Sequence, residues 1–295
     1  MIIVKPIDVD TDNLTSNVLM DDETVWSAGT YNQGDKVMLG IEIYEALTTT
    51  TDKPDTGAGK DPATWLRLGF TNRWRMFRDG QDSKTMDIGG IAVSVQTDTL
   101  VNAVGVLGVQ GNTITVKMID GTKGEVYSRT DEVISFSVDN WYDYYFSPYD
   151  SKEDFVFSDL PPYINSEIQI NIDGSNEYST VAAGRVIIGR QRDIGATDHG
   201  TNVSSLDYSI RERDGFGNLR VVTRRSVKLI YYSVTIETMR VDFATRILSS
   251  ISSIPVLYIG SPKYGSTLAF GIYRDFSVNI SAPTLSDCTL TVEGF

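Results

Sequence analysis

A chain of 295 residues is long enough to bury a core without disulfide or metal staples, and its 39 acidic against 26 basic residues give a formal charge of -13. That charge excludes general affinity for nucleic acid or anionic membrane, and no segment is long and apolar enough for membrane insertion as a helix. The lone Cys288 makes no internal disulfide, so nothing requires an oxidising compartment, while 25 glycines and 15 tyrosines favour strands and turns over helices.

Met1 to Pro6 holds an apolar run too short for a signal peptide and lacks a basic n-region, so synthesis and folding in a cytoplasm are expected. Asp8, Asp10 and Asp12 invite comparison with a calcium loop, but Asn13 stands where the loop glycine belongs and Leu19 where the bidentate glutamate belongs. A solvated acidic turn is expected there. From Val25 to Gly69, turn signals at Ala28-Gly29, Gln33-Gly34-Asp35 and Pro54 to Gly57 separate Trp26, Tyr31, Tyr44 and Trp65 into a small module of short strands. So short a module needs its aromatics as core, yet the same rings, if exposed, would stack on sugar; periodicity does not choose between the two.

Trp65 to Phe77 is the seam of the chain. Two tryptophans, two phenylalanines and three arginines are too apolar for a solvated linker. If Asn72 to Phe77 is extended, Trp74 and Met76 face one way and Arg73, Arg75 and Phe77 the other, so both faces need cover. Asn72, Arg73, Trp74, Met76 and Phe77 are therefore read as a packed junction between a module at 1–77 and a domain at 78–295. Beyond it the period is two: Ile114, Val116 and Met118; Ile168, Ile170 and Ile172; and Phe276, Val278 and Ile280 each alternate with polar residues. With turns at Gln110-Gly111-Asn112, Asp120-Gly121-Thr122 and Asp173-Gly174, about a dozen strands are expected. The predicted fold is mainly β: a small aromatic-rich N-terminal module, then a large antiparallel β-sandwich or jelly-roll-like domain with one short helix.

That helix is read from Phe243, Ile247 and Ile251, with Ala244 and Leu248 beside them, ending before Pro255. Leu219 to Ile236 forms either one unusually long strand or a strand broken by a bulge near Arg224-Arg225. Arg211, Arg213, Arg220, Arg224, Arg225 and Lys228 make a basic cluster, either a solvated strand face or a set of contacts to an acidic partner. The only histidine, His199, is expected in a polar turn. No G-x-S-x-G, P-loop or metal-ligand spacing is present, so no catalytic residue, metal or cofactor is expected.

Trp26-Ser27-Ala28-Gly29-Thr30-Tyr31-Asn32-Gln33-Gly34-Asp35-Lys36-Val37, Tyr44-Glu45-Ala46-Leu47 and Asp61-Pro62-Ala63-Thr64-Trp65 resemble small chitin- and cellulose-binding modules, in which exposed rings stack on sugars. Gly69-x-Thr71-Asn72-Arg73-Trp74-x-Met76-Phe77 resembles a junction in tail proteins of double-stranded DNA bacteriophages and prophages, often labelled carbohydrate-binding. That resemblance continues through Asp139-x-Trp141-Tyr142-x-Tyr144-Tyr145-Phe146, Leu160-Pro161-Pro162-Tyr163, Asp207-Tyr208-Ser209, Asp214-x-Phe216-Gly217-Asn218, Gly271-x-Tyr273-x-Asp275-Phe276 and Thr289-Leu290-x-Val292-Glu293-Gly294. The chain departs from the pattern at Arg75, where a small residue is expected, and at Arg78, where an aspartate is expected, so no carboxylate role carries over there. The resemblance implies a non-catalytic, multi-copy tail or baseplate component, assembled in the host cytoplasm and located in the virion. It would dock copies of itself, other tail proteins or fibres, and touch host surface glycan. The alternative is a virion-borne or secreted protein that binds or degrades polysaccharide.

Overall fold

The computed structural model describes residues 1–20, 22–78, 83–135, 141, 150–213, 215–262 and 264–295. The quoted aromatic run from Asp139 to Phe146 lies outside them apart from Trp141, as do Asp79, Asp214 and Lys263. The fold is mainly β, 52% strand against 11% helix, as the scarcity of helical patterning predicts. Two compact units divide the chain: residues 1–8, 101–104 and 187–295 form one, and residues 9–100 and 105–186 the other. These units follow a different line from the 77/78 division, and the helix Asn72–Arg78 runs across that position.

The unit of residues 9–100 and 105–186 holds a five-stranded antiparallel sheet in the order Gly124–Glu132, Thr113–Asp120, Ser166–Asp173, Gly90–Gln96 and Leu14–Ser16. The alternation read from the sequence sets its buried face. Met118, Val116 and Ile114 stand opposite Ile168, Ile170 and Ile172, which in turn stand opposite Val95, Val93 and Ile91. All nine side chains are at most 3% exposed, and each contributes about 1.5–3 kcal/mol of burial. The turn at Asp120 forms because its carboxylate accepts the amides of Thr122 and Lys123 at 3.1 and 2.9 Å, while Gly124 takes the left-handed backbone, φ +78°, that closes it. A separate four-stranded sheet, ordered Thr24–Val25, Lys36–Leu39, Glu42–Ala46 and Trp65–Phe70, makes the aromatic module.

The other unit is built on one sheet running from residues 187–193 through Ile2–Pro6, Val256–Ile259, Leu268–Asn279, Leu285–Gly294 and Ser226–Glu237. Ala196–Thr197 and Asn202–Asp207 both pair with Ser226–Glu237 at its far edge. The helix Val241–Ser250 packs Val241, Ala244, Ile247 and Leu248 into a core with Tyr232, Val234, Tyr258, Cys288 and Leu290. The expected stripe is corrected at one position. Phe243 is 39% exposed, because the helix turns Ala244 and Leu248 to the sheet and carries Phe243 to the rim. Burial pushes the Cys288 thiol up to about 11, as for an inert core cysteine.

Among the described residues, two further α-helices lie in the stretch read as the N-terminal module and junction, where short strands and turns were expected. Pro54–Ala58 is a short turn with proline at its start. Asn72–Arg78 is helical where an extended segment was expected. A seven-residue stretch with buried Trp74, Met76 and Phe77 is too short for period two to be told from a helical face, and the partners of its first turn decide the matter. The backbone N–H of Asn72 is held by both carboxylate oxygens of Asp22 at 3.0 Å, and the Trp74 and Arg75 amides bond to the Thr71 carbonyl.

Candidate functional site

The aromatic module brings all four of its candidate residues together, and it does so as a core. Trp65 is 1% and Tyr44 4% exposed. They pack with Val37 and Ala46, and Trp26 and Tyr31 close the edge half-buried. Trp65 Nε1 donates to the Asp52 carbonyl at 3.0 Å, and the Tyr31 ring meets Trp65 edge-on with centroids 5.4 Å apart. Gly57 makes this approach possible, since a Cβ there would sit 2.4 Å from Trp65 Cδ1. The sequence phase is undecidable at Tyr44 because the ladder with Trp65–Phe70 slips between Ile43 and Tyr44, so both adjacent residues are buried. The Tyr44 hydroxyl donates to Glu42 at 2.5 Å, and Glu42 pairs with Arg67 at 2.7 Å. Burial, then the Glu42 hydrogen bond, pushes the Tyr44 phenol up to about 12.

The seam residues are held by hydrogen bonds to main chain and side chain alike. Asn72 brackets Met86, donating to its carbonyl at 2.7 Å and accepting its amide at 2.9 Å. Arg73 donates to the Val18 carbonyl at 2.6 Å, Arg75 to that of Phe70 at 3.3 Å and Arg78 to that of Val9 at 2.7 Å. Trp74, 2% exposed, meets Phe77 edge-on, and Met76 is fully buried. Arg73, Arg75 and the adjoining Arg78 thus each satisfy a backbone carbonyl, while Arg67 pairs with the Glu42 carboxylate.

The basic cluster has the opposite character. Leu219 to Ile236 is broken at the place where a bulge was one of two expectations: Asn202–Asp207 pairs with Ser226–Glu237 in one register, and Ile210–Arg213 pairs with Leu219–Val222 in another. Thr223, Arg224 and Arg225 therefore oppose only Tyr208 and Ser209, and the ribbon beyond is a two-stranded hairpin. Arg211 and Arg213 share a face with Val221 and Leu219; Ile210 and Glu212 share the other with Val222 and Arg220. Both of its faces are wet: Leu219, Val221 and Val222 are 55%, 50% and 44% exposed, and Phe216 in the turn 95%. Arg211 pairs with Asp207 at 2.7 Å, Arg213 donates to the Gly217 carbonyl, and Lys228 reaches the Leu268 carbonyl at 2.7 Å. At the base of the ribbon the Tyr208 hydroxyl and the Arg274 guanidinium both bond Glu293, and together they hold that carboxyl below its ordinary range. Sequence reasoning found the arginines but missed the exposed Leu219, Val221, Val222 and Phe216. The signal that finds them is a β-forming run interrupted by paired arginines and followed by a second start.

His199 lies in an exposed turn after Asp198. Asp10 accepts the amides of Asp12 and Asn13 with its own side chain, so the acidic segment is a self-capped turn. The molecule is a mainly antiparallel β protein with a closed aromatic module and an open basic ribbon. Comparisons with protein-family models, with curated proteins and with solved structures find no match to this chain.

Proposed function

We propose that the protein is a non-catalytic, multi-copy structural component of a bacteriophage tail or baseplate, acting by occupying a fixed place between copies of itself and other tail proteins. The observation that carries the reading is the hairpin Ile210–Val222, whose apolar residues are exposed on both faces. Two strands alone are marginal in water, and exposed apolar side chains rimmed by arginines mark a docking element. Its occupant is an acidic surface of a neighbouring copy. Tyr208 to Lys228 contains six basic and two acidic residues, against 20 basic and 37 acidic in the remainder of the chain, so the ribbon complements the charge of its own molecule. The phage tail is the assembly implied by the junction and C-terminal motifs of the sequence.

The test is to identify the proteins of purified particles by mass, then delete the gene and inspect the tails by microscopy. The expected result is a chain present in many copies and tails that fail to assemble or adsorb without it; normal tails lacking the chain would sink the proposal. A second reading, as a polysaccharide binder or degrader, is favoured by the shallow groove of Thr15, Asn17, Ser94, Gln169 and Asn171, whose hydroxyls and amides suit sugar hydroxyls. New reducing ends or unsaturated products on incubation with cell-envelope polysaccharide would promote it.

A further inference from the structure

The strand Ile2–Pro6 pairs with Arg185–Asp193 so that Lys5 stands directly opposite Arg190 and Ile3 directly opposite Arg192. Alternation puts all four side chains on one face of the sheet. Across that face the helix Val241–Ser250 contributes Arg246 and Phe243, and a cleft of about 320 Å³ opens between them. Its lining has four cationic side chains and no acidic one. Among the described residues, none of the Lys5, Arg190, Arg192 and Arg246 side chains has a hydrogen bond or a carboxylate within ion-pair distance. Asp193, next to Arg192, is turned to the amino terminus of Met1 at 3.6 Å.

All four cationic side chains are exposed, so water carries much of their charge, and what marks the site is their convergence without a counter-charge. Like charges directly opposite on neighbouring strands repel, and on a chain of formal charge -13 there is no shortage of carboxylates that could have quenched them. Arginines of the seam, the aromatic module and the base of the ribbon are by contrast tied down: Arg73, Arg75 and Arg78 to carbonyls, Arg67, Arg211 and Arg274 to carboxylates.

We infer that this cleft is a binding site for a small phosphate-bearing molecule. Three guanidiniums offer forked donors that match a tetrahedral oxyanion two oxygens at a time, and the lysine adds a point charge. A single carboxylate would leave most of the positive charge uncompensated, whereas a phosphomonoester or pyrophosphate neutralises two or more. The cleft is larger than an inorganic phosphate, and the Phe243 ring and Ile3 give the remainder an apolar wall suited to a compact organic body. An extended nucleic acid is disfavoured by the acidity of the rest of the chain. The site does not depend on the assembly reading.

The experiment is calorimetric titration of the full chain at about 0.15 M salt, an ionic strength that screens diffuse surface attraction. The probes are pyrophosphate, a hexose monophosphate, the unphosphorylated hexose, and vesicles with and without anionic lipid. Saturable binding of pyrophosphate or the hexose monophosphate is expected, with none of the free hexose. Arg192→Ala with Arg246→Ala should weaken it at least tenfold, while Arg220→Ala on the distant ribbon leaves it unchanged. Arg246→Gln alone, an exposed and conservative change, keeps the test valid should the double variant fold poorly, and should weaken binding several-fold. The soluble phosphates should also raise the melting temperature of the unaltered chain and not that of the variants. No saturable binding, equal affinity in Arg246→Gln, an equal loss in Arg220→Ala, or binding confined to anionic vesicles would each overturn the assignment.

Discussion

The seam and the ribbon are made of the same materials, arginines interleaved with large apolar residues, and they come out as opposites. In the seam, Arg73 and Arg75 each end on a backbone carbonyl, as does Arg78 just beyond it, and Trp74 is 2% exposed. In the ribbon, Leu219 and Val221 remain about half exposed beside Arg211 and Arg213. The difference teaches that composition alone does not separate a sealed junction from a docking element. What separates them is cover: Arg211 and Arg213 also find acceptors within the chain, but the apolar side chains beside them stay in water, whereas Trp74, Met76 and Phe77 of the seam are enclosed.

The strongest way to break this comparison is to truncate the seam. Trp74→Ala and, in the aromatic module, Trp65→Ala should each lower unfolding free energy by about 3–5 kcal/mol in denaturant titration. A loss below about half a kcal/mol, the range of surface substitutions, would make the seam a linker. Asp22→Ala removes the carboxylate that holds the first amide of the helix Asn72–Arg78, and should cost about 0.5–2 kcal/mol, as loss of a helix cap does.

In the ribbon, Val221→Ser should change the stability of the isolated chain by less than about half a kcal/mol while abolishing self-association measured by sedimentation. A large stability loss with association intact would show that the ribbon belongs to the core. Two titrations sharpen the contrast further. The Tyr44 phenol is raised from 10.0 to about 12 in the folded chain, so its contribution to stability is complete below about pH 10 and is lost as pH climbs towards 12. Tyr44→Phe should remove that alkaline dependence from the melting curve. Glu293 is depressed by Tyr208 and Arg274, so its contribution is present above the ordinary carboxylate range and lost as pH falls through the depressed value. Tyr208→Phe should shift its titration upward in an NMR pH series, the smallest of these effects.

Much of the architecture was legible from local pattern, because a strand buried on one face must alternate and a tight turn must use residues that tolerate it. Ile114, Val116 and Met118 fall on the core face as the period demands, Asp120-Gly121 closes its hairpin through its own carboxylate, and Trp74 is buried because so large a ring cannot stay in water. Tertiary structure alone decided the rest. A one-residue slip between Ile43 and Tyr44 buries two neighbours that alternation would have separated, and a carboxylate fifty residues away makes a helix of Asn72–Arg78. The pairing of Ile2–Pro6 with Arg185–Asp193 sets Lys5 against Arg190. Periodicity reports which face a side chain takes along its own strand; which strand lies beside it is fixed by contacts between residues far apart in sequence, and there the four cations of the cleft first become neighbours.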